Sequence, residues 1–131
     1  MRTKQRNNLA ETACHERVAQ NTDVYAVKAR NYKGLRRGSP VFCRNNWHIH
    51  HAAKGGGQLL LCTAGEGWYQ EEGKPAVSLH EGSLVMIPAE VKHWHGAKKD
   101  SRFSHIAVEI PGEECRSEWC EPVSDEAYSN L

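Results

Sequence analysis

Apolar and polar residues alternate in short segments over the last two thirds of the chain. Six such segments cover residues 47–51, 58–64, 67–71, 76–80, 84–87 and 103–110. Alternation of this kind is typical of β-strands with one buried face. Turns that contain glycine or proline separate the segments roughly every 8 to 12 residues, as in β-sandwiches and barrels. The pattern predicts an all-β domain, and Ser124 followed by two acidic residues predicts a short capped helix near the end.

The first forty residues lack this pattern and differ in charge from the rest of the chain. They hold nine basic and three acidic residues, whereas residues 41–131 hold eight basic and thirteen acidic ones. The break predicts an atypical basic N-terminal segment, residues 1–41, ahead of a barrel domain, residues 42–131. Three interpretations of this segment stay open. It is a disordered arm, a set of early barrel strands or a frame-shifted stretch of sequence.

The overall composition excludes several classes of protein. The 131 residues have a net charge of +1, a surplus of only one positive charge, which is too small to favour binding of nucleic acid. No apolar run approaches the roughly 20 residues that a membrane-spanning helix needs. The N-terminus lacks the apolar stretch of a signal peptide. We therefore expect a cytoplasmic protein without a membrane or nucleic-acid partner.

Histidine is concentrated in the predicted barrel, where seven of the eight lie between residues 48 and 105. His48 and His50 are two residues apart in a predicted strand, so both side chains project from one face. His93 and His95 repeat this arrangement. Neutral imidazole is the commonest metal ligand in proteins. Several imidazoles that face one interior predict a metal site, and histidines of a polar core or of the surface are the alternative.

The spacing around the first histidine pair resembles the first sequence motif of the cupins. That motif runs as Gly, five residues, HxH, three or four residues, Glu, six residues and Gly. In this chain His48 and His50 are followed by Gln58, and Gly65 comes after six further residues. Gln58 replaces the usual Glu at a longer spacing, and Phe42 stands where the opening glycine of the motif belongs.

The second histidine pair fits the second cupin motif, which runs as Gly, five residues, Pro, any residue, Gly, two residues, His, three residues and Asn. Gly82, Pro88 and His93 occupy their positions in it. Glu90 replaces the second glycine, and Ala97 replaces the asparagine. The agreement of two motifs in spacing implies the cupin fold. That fold is a single double-stranded β-helix, a jelly-roll-like barrel that holds one metal inside.

Within the cupins, the chain is similar to the small manganese cupins that act as hydroxynitrile lyases. It is also similar to the cupins associated with carboxymuconolactone decarboxylase-like proteins. This narrower likeness lies in the HxH with Gln and in residues 92–97 and 104–107. It implies a divalent metal, with Mn²⁺ first and Fe²⁺, Ni²⁺ or Zn²⁺ as alternatives. The implied ligands are His48, His50, Gln58 and His93.

Two further residues are candidates for catalysis. His105 falls on the base histidine of these lyases and shares one face of its predicted strand with Glu109. We expect His105 to move a proton and Glu109 to orient its ring. Glu109 stands where the lyases tend to carry Gln. His95 is expected beside the metal ligands rather than among them.

The implied site predicts a metal-dependent enzyme. Three neutral imidazoles and one neutral amide leave the charge of a divalent ion uncompensated, which makes the ion a stronger Lewis acid. We therefore expect a lyase-type reaction of a small molecule at a carbonyl or hydroxyl carbon. An oxygen-dependent dioxygenase and a non-catalytic protein that binds a metal or a small metabolite are the alternatives. The resemblance also implies a homodimer or a larger homo-oligomer.

Overall fold

The computed structural model describes residues 44–131 and, farther upstream, the backbone of two strands at residues 14–19 and 27–32. The elements in chain order are β1 (Cys14–Ala19), β2 (Val27–Tyr32), β3 (His48–His51), β4 (Lys54–Gly55), β5 (Gln58–Gly65), β6 (Gly67–Glu71), β7 (Val77–Leu79), β8 (Leu84–Ile87), β9 (His93–Ala97), β10 (Phe103–Glu109), β11 (Gly112–Glu113), β12 (Arg116–Trp119) and the helix α1 (Asp125–Ser129). Within these described ranges, no helix has the length and apolar character needed to cross a membrane.

Ten of the strands form two five-stranded antiparallel sheets. The order in the first sheet is β1-β2-β10-β5-β8, and the order in the second is β12-β3-β9-β6-β7. The short strands β4 and β11 pair with each other. One apolar core forms from inward residues of both sheets, namely Leu60, Cys62, Tyr69, Leu79, Ile87, Ala97, Phe103 and Ala107. The arrangement confirms the predicted all-β class.

The alternation of apolar and polar residues predicts six of these strands to within one residue at each end. They are β3, β5, β6, β7, β8 and β10. The pattern does not predict β4, β11 or β12. Strand β4 falls in a glycine-rich stretch that reads as a turn, and all four residues of β12 are exposed. A strand without a buried face leaves no alternation in the sequence.

Strand β9 is buried over its whole length, because both of its faces are covered. On the outer face, Trp94 packs against Val123 and Tyr128 from the C-terminal segment. The Tyr128 hydroxyl donates a hydrogen bond to the backbone carbonyl of Ala97. The C-terminal segment therefore holds β9 in place, and β9 carries two of the clustered histidines.

The helix α1 begins as the sequence predicts. The Ser124 hydroxyl accepts a hydrogen bond from the backbone N–H of Ala127 at 3.1 Å, which is the bond of an N-cap residue. Arg44 donates to the carbonyl of Val123 and to the carboxylate of Asp125, each at 2.6 Å. These bonds attach the C-terminal segment to the start of the described barrel.

Two strands lie in the basic N-terminal segment. The backbone of β2 pairs with β10, and β1 pairs with β2, so both extend the first sheet at the edge opposite β8. The other residues of the segment lie outside the described part of the chain. The boundary between the basic N-terminal segment, residues 1–41, and the barrel domain, residues 42–131, stays a prediction.

Candidate metal centre

Three of the four predicted metal ligands meet where β3 and β9 pair. His48 lies directly opposite His93 in the antiparallel register, and their ring centroids are 4.2 Å apart. The ring of His50 lies 5.1 Å from that of His48 and 5.4 Å from that of His93. The exposed fractions of these three residues are 3%, 7% and 0% in chain order. The histidines form one buried cluster.

Hydrogen bonds to the backbone fix the ring protons of two of these histidines. The Nδ1–H of His48 donates to the carbonyl of Asn46 at 2.9 Å, and that of His93 donates to the carbonyl of Val91 at 2.9 Å. Because a carbonyl only accepts, the proton lies on Nδ1 and Nε2 keeps its lone pair. Burial lowers the pKa of His93 to about 4, so its ring is neutral near pH 7. Both rings are in the form that binds a metal.

Gln58, on β5 of the other sheet, is held in a similar way. Its Nε2 donates to the carboxylate of Glu109 at 2.7 Å. Its Oε1 is buried, and neither this oxygen nor Nε2 of His93 has a hydrogen-bond partner among the residues that the structure describes. Buried polar atoms without partners are costly, and a bound cation would satisfy both. The donor set therefore fits a metal ion.

His50 faces two acceptors with its Nδ1. The hydroxyl oxygen of Ser117 lies 3.2 Å away, and Oε2 of Glu109 lies 3.4 Å away. A carboxylate this close favours the ring proton on Nδ1, which leaves the lone pair on Nε2. This is the tautomer in which Nε2 of His50 can bind a metal ion.

His95 also lies close to the cluster, but its hydrogen bonds differ. Ring nitrogens of His48, His93 and His95 lie within 4.8 Å of one another. The Asn45 oxygen accepts from the backbone N–H of His95 at 2.9 Å, so its amide nitrogen is the atom 3.1 Å from His95 Nε2. Since an amide nitrogen donates, Nε2 accepts and the proton of the neutral ring lies on Nδ1. This state suits a proton donor better than a ligand.

A cavity of about 70 Å³ opens beside the cluster. Trp119 lies on its wall with an exposed fraction of 56%, and its ring centroid is 5.0 Å from that of His48. The residues that line the cavity are Asn45, His48, His50, Gln58, His95, Ala107, Glu109, Ser117 and Trp119. A small molecule bound there would contact three of the four predicted ligands.

His105 lies behind His95 and is not among the described residues that line the cavity. Its side chain is almost fully buried. Its ring stacks on Phe103 with centroids 4.9 Å apart, and it meets the His95 ring edge-on at 4.7 Å. His95 therefore separates the predicted base from the cavity.

The sequence pattern does not single out Asn45, Ser117 or Trp119 as site residues. Ser117 and Trp119 are two residues apart on β12, where Ser117 pairs with His50 and Trp119 with His48. The two-residue spacing of Ser117 and Trp119 is the only sequence signal that they share one face of a strand. The neighbouring polar and acidic residues give β12 no apolar alternation by which it could be recognised. Asn45 precedes β3 without any pattern of its own.

Comparisons with known proteins place this geometry in a family. No family model matches the chain. A cupin-like protein from Thermotoga maritima, known from a crystal structure, is 34% identical to it, with a TM-score of 0.66 over 89% of this chain and 81% of that one. The chain is a cupin. A double-stranded β-helix protein from Klebsiella pneumoniae shares the fold at 14% identity, with a TM-score of 0.65 over 90% of this chain and 99% of that one.

Two similar proteins are named as lyases. This cupin is 38% identical to an (R)-mandelonitrile lyase from Granulicella tundricola over 85 residues, which is 65% of this chain. The match spans 62% of the length of that relative. The DMSP lyase DddQ from Ruegeria pomeroyi shares the fold at 19% identity, with a TM-score of 0.59 over 86% of this chain and 53% of that one.

The histidine cluster inside a cupin fold indicates a site for a divalent metal ion, in agreement with the sequence. The structure brings five of the six predicted site residues to this site, and His105 lies behind them. The five are His48, His50, Gln58, His93 and Glu109. Which residues bind the ion and which act in catalysis stay predictions.

Proposed function

We propose that this cupin is a metal-dependent lyase that adds or removes a small group at a carbonyl or hydroxyl carbon, as a hydroxynitrile lyase does. The observation that carries the proposal is the pair of buried acceptor atoms, Gln58 Oε1 and His93 Nε2, which the described residues leave without a hydrogen bond. The similarity to a mandelonitrile lyase supports lyase chemistry. The cavity beside Gln58 supplies room for a small substrate.

The proposed ligands are the four that the sequence predicts. Mn²⁺ is the proposed ion, since the hard amide oxygen of Gln58 suits Mn²⁺ or Fe²⁺, and Ni²⁺ and Zn²⁺ are the alternatives. When bound, the ion would polarise the substrate oxygen as a Lewis acid. The ligands are His48, His50, Gln58 and His93, and in this set His93 and His48 present Nε2 because their Nδ1 protons are held by the backbone.

The proposed proton transfer uses His95 and His105. His95 lines the cavity, and the amide nitrogen of Asn45 at its Nε2 keeps the ring proton on Nδ1. The ring of His105, the predicted base, meets the His95 ring edge-on with the centroids 4.7 Å apart. Proton transfer by positioned imidazoles is typically worth about 10²–10⁴ in rate.

Trp119 indicates the shape of the substrate. Its indole ring is more than half exposed on the cavity wall, next to the ring of His48. An exposed aromatic face favours stacking with another flat ring. We propose an aromatic substrate such as mandelonitrile, which the relative's name mentions.

The test is cleavage of (R)-mandelonitrile by the full chain loaded with Mn²⁺. The rate of cleavage is measured from the release of benzaldehyde. We expect cleavage, and we expect His105→Ala to lower its rate by about 10²–10⁴. His80→Ala is the matched control, because His80 is exposed outside the site. Full activity in His105→Ala would refute the role of His105 as the base. If the Mn²⁺-loaded wild type does not cleave mandelonitrile, the proposed hydroxynitrile lyase activity is refuted.

The alternatives give different results in the same preparation. Oxygen consumption with a catechol, flavonol or diketone, without cleavage of cyanohydrins, would support a dioxygenase. Metal uptake without either reaction would support a protein that binds a metal or a small metabolite. All three measurements, which are oxygen consumption, cyanohydrin cleavage and metal uptake, use the full chain loaded with metal.

A further inference from the structure

We propose that Glu109 is a positioning residue that orients two of the proposed metal ligands, Gln58 and His50, without binding the ion itself. The inference rests on the proposed metal site. Among the described residues that line the cavity, Glu109 is the only acidic one. Its carboxylate is therefore the one negative charge that these described residues bring to the cavity.

The position of Glu109 lets it contact both sheets. It ends β10 and lies directly opposite Gln58 on β5. Its Oε1 accepts the hydrogen bond from Gln58 Nε2 at 2.7 Å. Its Oε2 lies 3.4 Å from Nδ1 of His50, which belongs to β3 of the facing sheet. One carboxylate thus contacts a proposed ligand from each sheet.

A carboxylate suits this position because both groups that it faces are donors. An amide side chain can rotate to present either its oxygen or its NH₂ group. The bond to Glu109 fixes the NH₂ end of Gln58, so that Oε1 is the atom left for a cation. An acceptor beside Nδ1 of His50 favours the tautomer with a lone pair on Nε2.

The charge of Glu109 adds to its geometric effect. Three imidazoles and one amide bring no negative charge to a divalent ion. The Glu109 side chain is 29% exposed and contacts two of these neutral ligands. A carboxylate in this position attracts the cation while it leaves the ligand atoms themselves neutral.

The contacts differ from the expected role of Glu109 at His105. The two lie four positions apart along β10, which corresponds to about 13 Å at the rise of a β-strand. The carboxylate contacts Gln58 and His50 instead. We therefore expect a substitution of Glu109 to change the metal affinity more than the rate of proton transfer.

The test is a titration of the metal-depleted full chain with Mn²⁺. The electron paramagnetic resonance signal of the free ion measures how much Mn²⁺ stays unbound at each step. Glu109→Gln removes the charge and keeps one acceptor, and we expect about a tenfold loss of affinity. Glu109→Ala removes both, and we expect a loss of up to about 100-fold. Glu81→Ala is the matched control, since this exposed glutamate lies outside the site.

A second measurement separates positioning from a general loss of structure. In the metal-free wild type, one side-chain amide proton of Gln58 should show the downfield NMR shift of a bond to a carboxylate. In Glu109→Ala this shift should disappear while the backbone spectrum of the barrel is retained. An unchanged Gln58 shift, or an Mn²⁺ affinity of Glu109→Ala within about twofold of the wild type, would overturn the role of Glu109. A wild type that binds no Mn²⁺ would overturn the metal site and this role together.

Discussion

The proposed ligands of the metal share one arrangement at the scale of single residues. In each case the polar atom that would not bind the ion faces a neighbouring acceptor, which is a backbone carbonyl for His48 and His93 and a carboxylate for Gln58. Such contacts select the tautomer or the amide orientation before any ion binds. The cluster is thus prepared for a cation by its surroundings.

How much of this site the sequence predicts depends on the range of each contact. The HxH spacing predicts that His48 and His50 share a face, because that follows from the geometry of one strand. The contacts of Asn45 with His95 and of Ser117 with His50 join residues 50 and 67 positions apart. Nothing local in the sequence marks such pairs, so they required the structure.

At the same scale, Trp119 should determine the preference for aromatic substrates. We expect Trp119→Ala to raise KM for mandelonitrile by about 2- to 13-fold, because a stacking contact of this kind contributes about 0.5–1.5 kcal/mol. The kcat should change little, and Trp119→Phe should retain most of the affinity. Steady-state kinetics with mandelonitrile and acetone cyanohydrin check this. An equal rise of KM for the aliphatic substrate would contradict a stacking role.

At the scale of elements, strand β9 connects the stability of the barrel to the metal centre. Its inner face carries His93 and His95, and its outer face is covered by the segment that contains α1. The sequence predicts both the helix and the HxH of β9. It does not predict that they pack together, because the two are far apart in the chain and the helix is short.

Tyr128 should therefore contribute strongly to stability. We expect Tyr128→Ala to lower the free energy of unfolding by about 3–5 kcal/mol, since it removes a large buried ring from the cluster around Trp94. Tyr128→Phe keeps the ring, loses the hydrogen bond to the carbonyl of Ala97 and should cost about 1 kcal/mol. Urea unfolding of both variants measures this, with Leu131→Ala as the control. A loss below about 1 kcal/mol for Tyr128→Ala would contradict the packing.

At the scale of the whole molecule, the strands β5 and β8 of the first sheet share an apolar outer patch. Leu61 pairs with Leu84, and Leu59 pairs with Met86, so these side chains share one face of β5 and β8. Leu84 and Met86 are 62% and 61% exposed. A contiguous apolar patch on a small protein often marks an interface, and the sequence predicts a homodimer or a larger homo-oligomer.

The predicted homodimer should use this face. We expect the double variant Leu84→Glu and Met86→Glu to be monomeric, because two buried carboxylates per chain would oppose association. Val77→Glu is the matched control, since Val77 is 52% exposed on the second sheet. Size-exclusion chromatography with light scattering measures the mass. A dimer that persists in the double variant, or a monomeric wild type, would contradict this prediction.

The metal content of the purified full chain tests the central claim most directly. Elemental analysis of protein prepared without added metal should give about one equivalent of a divalent transition metal per chain. His93→Ala should lose most of it, because His93 supplies a buried and unprotonated Nε2, and His80→Ala should retain it. A wild type with less than about a tenth of an equivalent, and without uptake of Mn²⁺ or Fe²⁺ on addition, would contradict the account.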